Sequence, residues 1–378
     1  MKLNPVIPFV AVLAALVSCQ RAQEGPRTAV SLVYEIAADS SGRARLAAQA
    51  GRRGGEGSIA VIGEPESAIV LARRLVSSDR VDNIDGTPRR DYLPDFAGET
   101  FDVIMDAVNA PYSHFWASAR QLPDSLRAPV LDSLREAAVL NAVCAWDSLS
   151  WRSATDTRPL LRKQRSKLVI LTSSLQARWG LFDVDTLQQM CGGACQVLSP
   201  VPVLLEEAYA AGARRLLVWT SRDVRESGVW ESVFAQKAYP DARLRVITPE
   251  SALDVRTELR NLLREYQESG EGLDALLLDS YTLPTGPLHS ELDIIRQEGR
   301  EEDAAFQAML SPIFRIWDPA SALVEVTYRT LRERHLLTHQ IARPAACYYE
   351  TAESRDGWSI LVETSAQYAQ RTYVPDFD

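Results

Sequence analysis

The chain has 378 residues, 41 basic and 50 acidic side chains (formal charge −9), and is 46% hydrophobic and 24% charged. At roughly 150 residues per domain there is room for two domains with sizeable cores, and the composition excludes a disordered chain. The acidic balance argues against a nucleic-acid binder, which carries a basic footprint, and five cysteines are too few for a disulfide scaffold.

Residues 1–18 read as an export signal. Lys2 precedes an apolar run, Val6–Val17, that is too short to span a bilayer. The run ends in Leu16-Val17-Ser18-Cys19, which resembles the bacterial lipoprotein signal box. That resemblance implies cleavage before Cys19, acylation of its thiol (palmitate), and a membrane-anchored chain that is extracytoplasmic, on the periplasmic face or the cell surface. The alternative is an ordinary secretory signal with a chance cysteine. Residues 19–27 then form a polar tether.

Beyond the tether, β-branched and aliphatic runs alternate with helical spacing. Strands are expected at Ala29–Ile36, Ser58–Ile62, Phe101–Ala107, Leu168–Thr172, Leu216–Thr220, Leu244–Thr248, Ala275–Asp279 and Ile313–Trp317, with two more at Ala345–Tyr349 and Trp358–Glu363. Asp124–Trp146 is the longest helical region, with Pro129 a candidate break. Leu259, Leu262 and Leu263 form one stripe of a helix over Leu253–Tyr266, and Gly212 is a helix stop. The glycine-rich loop Ala50–Gly57 lacks the Gly-Lys-Ser/Thr ending of a phosphate loop and precedes a strand instead of following one. Continuous apolar strands alternating with helices predict an α/β chain: two Rossmann-like lobes, mainly parallel sheets flanked by helices, and a ligand cleft between the lobes. The expected lobes are 28–195 and 196–320, with 321–378 crossing back between them.

In open α/β sheets ligands bind beyond the carboxyl ends of the strands. That rule selects Asp106, Asn109, Tyr112 and Trp116 after the Phe101 strand, Ser173 and Ser174 after the Leu168 strand, and Thr220, Ser221 and Arg222 after the Leu216 strand. It adds Asp279 and Tyr281 after the Ala275 strand and Asp318 after the Ile313 strand. Each has a plainer role: Asp, Asn, Ser and Thr cap helices and turns, aromatics fill cores, and arginines solvate surfaces.

The remaining cysteines, if exported, meet an oxidising compartment. Cys191-Gly-Gly-Ala-Cys195 is a candidate tight-loop disulfide, with free buried thiols or redox or metal chemistry as alternatives; Cys144 and Cys347 read as core. Neither a metal site nor a cofactor is expected. His335 and His339 have helical metal-ligand spacing but lack the Glu of a hydrolytic zinc helix. A cysteine-pair racemase is conceivable on a two-lobed α/β fold, yet Cys144 and Cys347 do not stand at recognisable strand ends.

The run Val201–Asp279 resembles the second lobe of a type I periplasmic solute-binding protein. A helix leads into Gly212-Ala-Arg-Arg-Leu-Leu-Val-Trp-Thr220, then come Gly228–Phe234, the strand Leu244–Thr248, a long helix and Leu273-Asp-Ala-Leu-Leu-Leu-Asp279. The resemblance implies a lipid-anchored solute-binding protein, not an enzyme, that captures a small polar ligand between its lobes for transport or sensing. Its partners would be an ABC-type permease or a membrane sensor, with no nucleic acid. The alternatives are a structural or sensory lipoprotein with a protein partner, and an exported enzyme using carboxylates such as Asp106 and Asp279.

Overall fold

The computed structural model describes residues 27–373 except 40–41, 52–54, 238, 250–253, 298–300, 341 and 355–356; the export signal and Cys19 lie outside the described residues. Among the described residues, ten strands form two sheets. They are β1 (Ser58–Gly63), β2 (Thr100–Met105), β3 (Ser166–Leu171), β4 (Gln196–Leu198), β5 (Arg215–Trp219), β6 (Arg243–Ile247), β7 (Leu273–Leu278), β8 (Leu310–Trp317), β9 (Ala345–Glu353) and β10 (Ser359–Thr364). The first sheet has the order β10-β9-β2-β1-β3-β4 and the second β6-β5-β7-β8. Every pairing is parallel except β9 with β10. The expected class, two α/β lobes with mainly parallel sheets flanked by helices, is the one observed. No helix among the described residues is long and apolar enough to cross a membrane.

The continuous apolar runs follow from burial on both faces. In β1, Ile59 and Val61 enter one core cluster while Ala60 and Ile62 enter another, the period-two alternation of a strand. On one side they meet Ile69 and Leu71 of the helix Pro65–Val76, on the other Val139 and Trp146 of the helix Asp124–Trp146. That long helix continues through Pro129. In the second sheet, Leu216 and Val218 of β5 turn toward the first lobe and Leu217 and Trp219 away from it. The first cluster therefore belongs to both lobes. It is bridged by Val201, Leu204 and Leu205 of the helix Pro200–Ala210 and by Leu323 and Leu331 of the helix Pro319–Glu333. The lobes are joined at the back by one shared core, and the cleft opens in front of it.

Two expectations change, and one strand is added to those read from the sequence. Ala29–Ile36 is not a strand but lies largely in the helix Ser31–Ala38. Its buried residues, Val33 and Ile36, stand three apart on one helical face, a spacing hidden by the β-branched composition. β4 is only three residues long, too short for a periodicity to be read. His335 and His339 follow the end of the helix Pro319–Glu333 and share no helical face; His335 itself has φ +55°.

One glycine is required by close approach. A Cβ at Gly63, where β1 ends, would stand 2.0 Å from Oγ1 of Thr172, which follows β3 and is hydrogen-bonded to Ser67 at 2.7 Å. Gly63→Ala is expected to destabilise the protein by about 1–3 kcal/mol through overpacking. Urea denaturation checks this as a lower midpoint at unchanged slope.

Candidate functional site

The carboxyl ends of β1, β3, β5 and β7 converge on a cavity of about 280 Å³ between the lobes. The first lobe contributes Glu64, Glu66 and Ser67 after β1, Ser113 at the head of the helix Ser113–Ala119, and Thr172, Ser173 and Ser174 after β3. The second contributes Ser221 after β5 and Asp279, Ser280, Tyr281 and Thr282 after β7. Three carboxyls and a ring of hydroxyls face the space, and among the described residues no Lys, Arg or His lines it.

Asp279 follows β7, half-buried, and accepts from three neutral donors: Thr220 Oγ1 at 2.6 Å, Trp230 Nε1 at 3.1 Å and the hydroxyl of Ser174. Thr220 and Trp230 share its lobe, whereas Ser174 belongs to the other, so this carboxyl fastens the lobes together. Burial pushes its pKa up against the pull of those hydrogen bonds. Tyr281 makes a second fastening, its hydroxyl donating to the Thr172 carbonyl at 3.0 Å. Two more lie at the rim: Arg178 Nη1 donates to the Ser227 carbonyl at 2.5 Å, and Arg120 pairs with Asp223 and Glu226.

Glu64 immediately follows β1 and precedes the helix that Pro65 starts. Its Oε1 accepts from the Tyr112 backbone N–H at 2.7 Å. Desolvation raises its pKa, the Tyr112 hydrogen bond opposes this, and Glu66, Asp106 and Asp279 add to the rise. The result is a half-buried carboxyl at the cleft wall whose neutral form is favoured beyond the ordinary carboxylate range.

Of the residues selected from sequence, Ser173, Ser174, Ser221, Asp279 and Tyr281 line this cavity, and Thr220 stands directly behind Asp279. The others do not. Asp106 is completely buried and saturated by Asn109 Nδ2 (3.0 Å), Tyr112 Oη (2.8 Å), Asn141 Nδ2 (2.7 Å) and Thr351 Oγ1 (2.9 Å), so Asn109 and Tyr112 hold Asp106 instead of a ligand. Trp116 stacks on Trp179, centroids 5.5 Å apart, in an apolar cluster with Tyr112 and Leu175. Arg222 is exposed outside the cavity on the short helix Arg222–Ser227, which Ser221 caps. Asp318 caps the helix Pro319–Glu333 through Ser321 N at 2.8 Å.

Glu64, Glu66 and Ser67 lie outside the selection made from sequence. The signal was present, because the strand-end rule applied to Ser58–Gly63 leads directly to Glu64-Pro65, an acid followed by a helix-starting proline.

Among the described residues no thiol reaches the cleft. Cys144, Cys191, Cys195 and Cys347 are all free, and none lines the cavity. The tight-loop disulfide is not formed: the Gln188 side chain closes that loop instead, accepting from Cys195 N and donating to Cys195 O, both at 2.8 Å. Burial pushes the Cys144 and Cys195 thiols up to about 12, which leaves them protonated and inert.

A larger polar cavity, about 750 Å³, lies at the opposite, amino end of the first sheet. Its two buried lysines are already engaged. Lys163 Nζ donates to three backbone carbonyls and lies 3.4 Å from Asp102, while Lys167 pairs with Glu99 at 2.7 Å.

No protein-family model and no curated protein matches this chain. Solved structures similar to it include a glutamate racemase from Francisella tularensis (13% identity, TM-score 0.43, covering 80% of this chain and 90% of that one). Others are a glutamate racemase from Bacillus anthracis (12%, 0.44, 82% and 98%) and an unliganded arylmalonate decarboxylase (14%, 0.30, 61% and 82%). These are racemases and a decarboxylase, not periplasmic solute-binding proteins, and they correct the expected resemblance of Val201–Asp279. The helix–strand order in that run is common to any doubly wound lobe. With the resemblance go the inferences drawn from it: solute capture for transport, the permease or sensor partner, and the absence of catalysis.

Proposed function

We propose that the chain is an enzyme whose active site is the interlobe cleft, and that it moves a proton on or off a small polar substrate with Glu64 as the acid–base group. The observation that carries this reading is Glu64 itself. It is a carboxyl at a strand's carboxyl end, facing a cavity shared by two lobes, with its pKa raised by burial and like-charged neighbours. A carboxyl raised toward working pH exchanges protons with substrate more effectively than an ordinary one. The hydroxyls of Ser67, Ser173, Ser221 and Thr282 supply neutral donors and acceptors that orient a polar substrate. Asp279, held by three donors, serves as a fixed polar contact.

The test does not need the substrate in advance. The protein is incubated in D2O with panels of small amino, hydroxy and dicarboxylic acids, and loss of carbon-bound proton signals is followed by NMR. Catalysed exchange of at least one panel member, lowered by about 10²-fold or more in Glu64→Gln, is the expected result. Exchange that survives Glu64→Gln unchanged removes Glu64 from the role.

A further inference from the structure

We propose that the front of the cleft is a proton-operated latch, in which the two lobes draw together with uptake of one proton by Glu64 and loosen when that proton leaves. The geometry carries the inference. Glu64 and Glu66 stand on the first lobe and Asp279 on the second, around a 280 Å³ cavity with no basic residue among those described in its lining. Drawing the walls together removes water from carboxyls of the same sign, and both effects oppose ionisation.

The groups facing Glu64 are all acidic or neutral. Glu66 lies on the helix that Glu64 precedes, Asp106 and Tyr112 follow β2, and Asp279 follows β7 opposite; each of these carboxyls adds to the rise at Glu64. Asp318 lies beyond Tyr281 and acts on it. The arginines at the rim are engaged elsewhere: Arg178 donates to the Ser227 carbonyl, and Arg120 is paired with Asp223 and Glu226. A proton from solvent is therefore the compensating charge that the closed walls accept. The contacts that make and release are the Ser174–Asp279 and Tyr281–Thr172 hydrogen bonds, together with the Arg178–Ser227 and Arg120–Asp223/Glu226 contacts at the rim, while the shared core behind them is apolar and does not titrate.

Linkage sets the direction. In the loosened state Glu64 is solvated, with an ordinary pKa of about 4.3; in the closed state its pKa is raised. Closure therefore strengthens as pH falls through the raised value, by up to about tenfold per pH unit for one proton, and levels off near about pH 4.3.

The inference shares Glu64 with the proposed active site but does not depend on turnover, and its readout is structural. Hydrogen exchange of the intact chain, corrected for the intrinsic pH dependence of amides, is followed at residues 172–176, 221–227 and 279–283. Protection there is expected to rise as pH falls from about 7.5 to about 4.5, while the core helix Pro319–Glu333 stays level. In Glu64→Gln the cleft protection is expected to be higher at neutral pH and its slope with pH reduced, the remainder coming from Asp279, whose carboxyl is also raised by burial. Glu66→Gln, an exposed change that leaves the fold intact, is expected to raise protection at neutral pH and keep the slope. A wild-type protein without the slope, an unchanged slope in Glu64→Gln, or unchanged protection at neutral pH in Glu66→Gln overturns the latch.

Discussion

Asp106→Ala is expected to cost about 4 kcal/mol of stability, with a large fall in urea midpoint. The carboxylate accepts from Asn109, Tyr112, Asn141 and Thr351, which come from the loop after β2, the helix Asp124–Trp146 and β9. Removing it strands these donors in a site with no access to water, and each buried unsatisfied group costs about 1–3 kcal/mol. Four such donors sum to roughly 4–12 kcal/mol, and partial relaxation of the exposed part of the loop brings the expected cost to the lower end of that sum. Asp106→Asn keeps the shape and one acceptor oxygen, so its cost is expected to be roughly half. A ligand-contact role would give the opposite pattern, with weakened binding and little loss of stability. Paired urea titrations of the two variants decide between them.

The same residue shows what a linear sequence can and cannot separate. An acid after a strand is expected at the carboxyl end of the sheet, and both Asp106 and Asp279 are there. Whether the side chain faces a cavity or folds back into the protein depends on partners remote in sequence. Asp106 is claimed by Asn141 and Thr351, 35 and 245 residues away. Asp279 is claimed by Ser174, 105 residues away in the other lobe. Such distances leave no trace in local spacing. The parallel strands were legible because burial on both faces makes each one an unbroken apolar run, as in Leu168–Leu171 and Ala275–Leu278. Within the second of these runs, Ala275 and Leu277 face the shared core while Leu276 and Leu278 face the outer helices. The helix Ser31–Ala38 was illegible for the converse reason: in eight residues rich in β-branched and small side chains, composition outweighed a three-residue spacing.

Glu64→Gln is expected to lower catalysed proton exchange by about 10²–10⁴-fold, the usual contribution of a positioned acid–base group, while leaving the fold in place. The substitution keeps the side chain's shape and an acceptor oxygen for the Tyr112 N–H, so substrate affinity is expected to change little and the loss to appear in kcat. Glu64→Asp keeps the carboxyl but withdraws it by one methylene, and a displacement of about 1 Å is expected to cost roughly 10²-fold. The pH dependence separates a chemical role from a structural one. Exchange that uses Glu64 as base rises with pH through its raised pKa, above the ordinary value of about 4.3, and this limb is absent from the residual activity of Glu64→Gln. Stability moves the other way. A carboxyl whose folded pKa lies above its unfolded one contributes stability that is present below the unfolded pKa and lost as pH rises through the folded one. Glu64→Gln is therefore expected to be more stable than the wild type at neutral pH, a difference that shrinks toward about pH 4. A variant that loses activity because it is damaged would lose stability as well. Loss of exchange combined with a gain in stability at neutral pH is the pattern of a group kept for chemistry at the fold's expense.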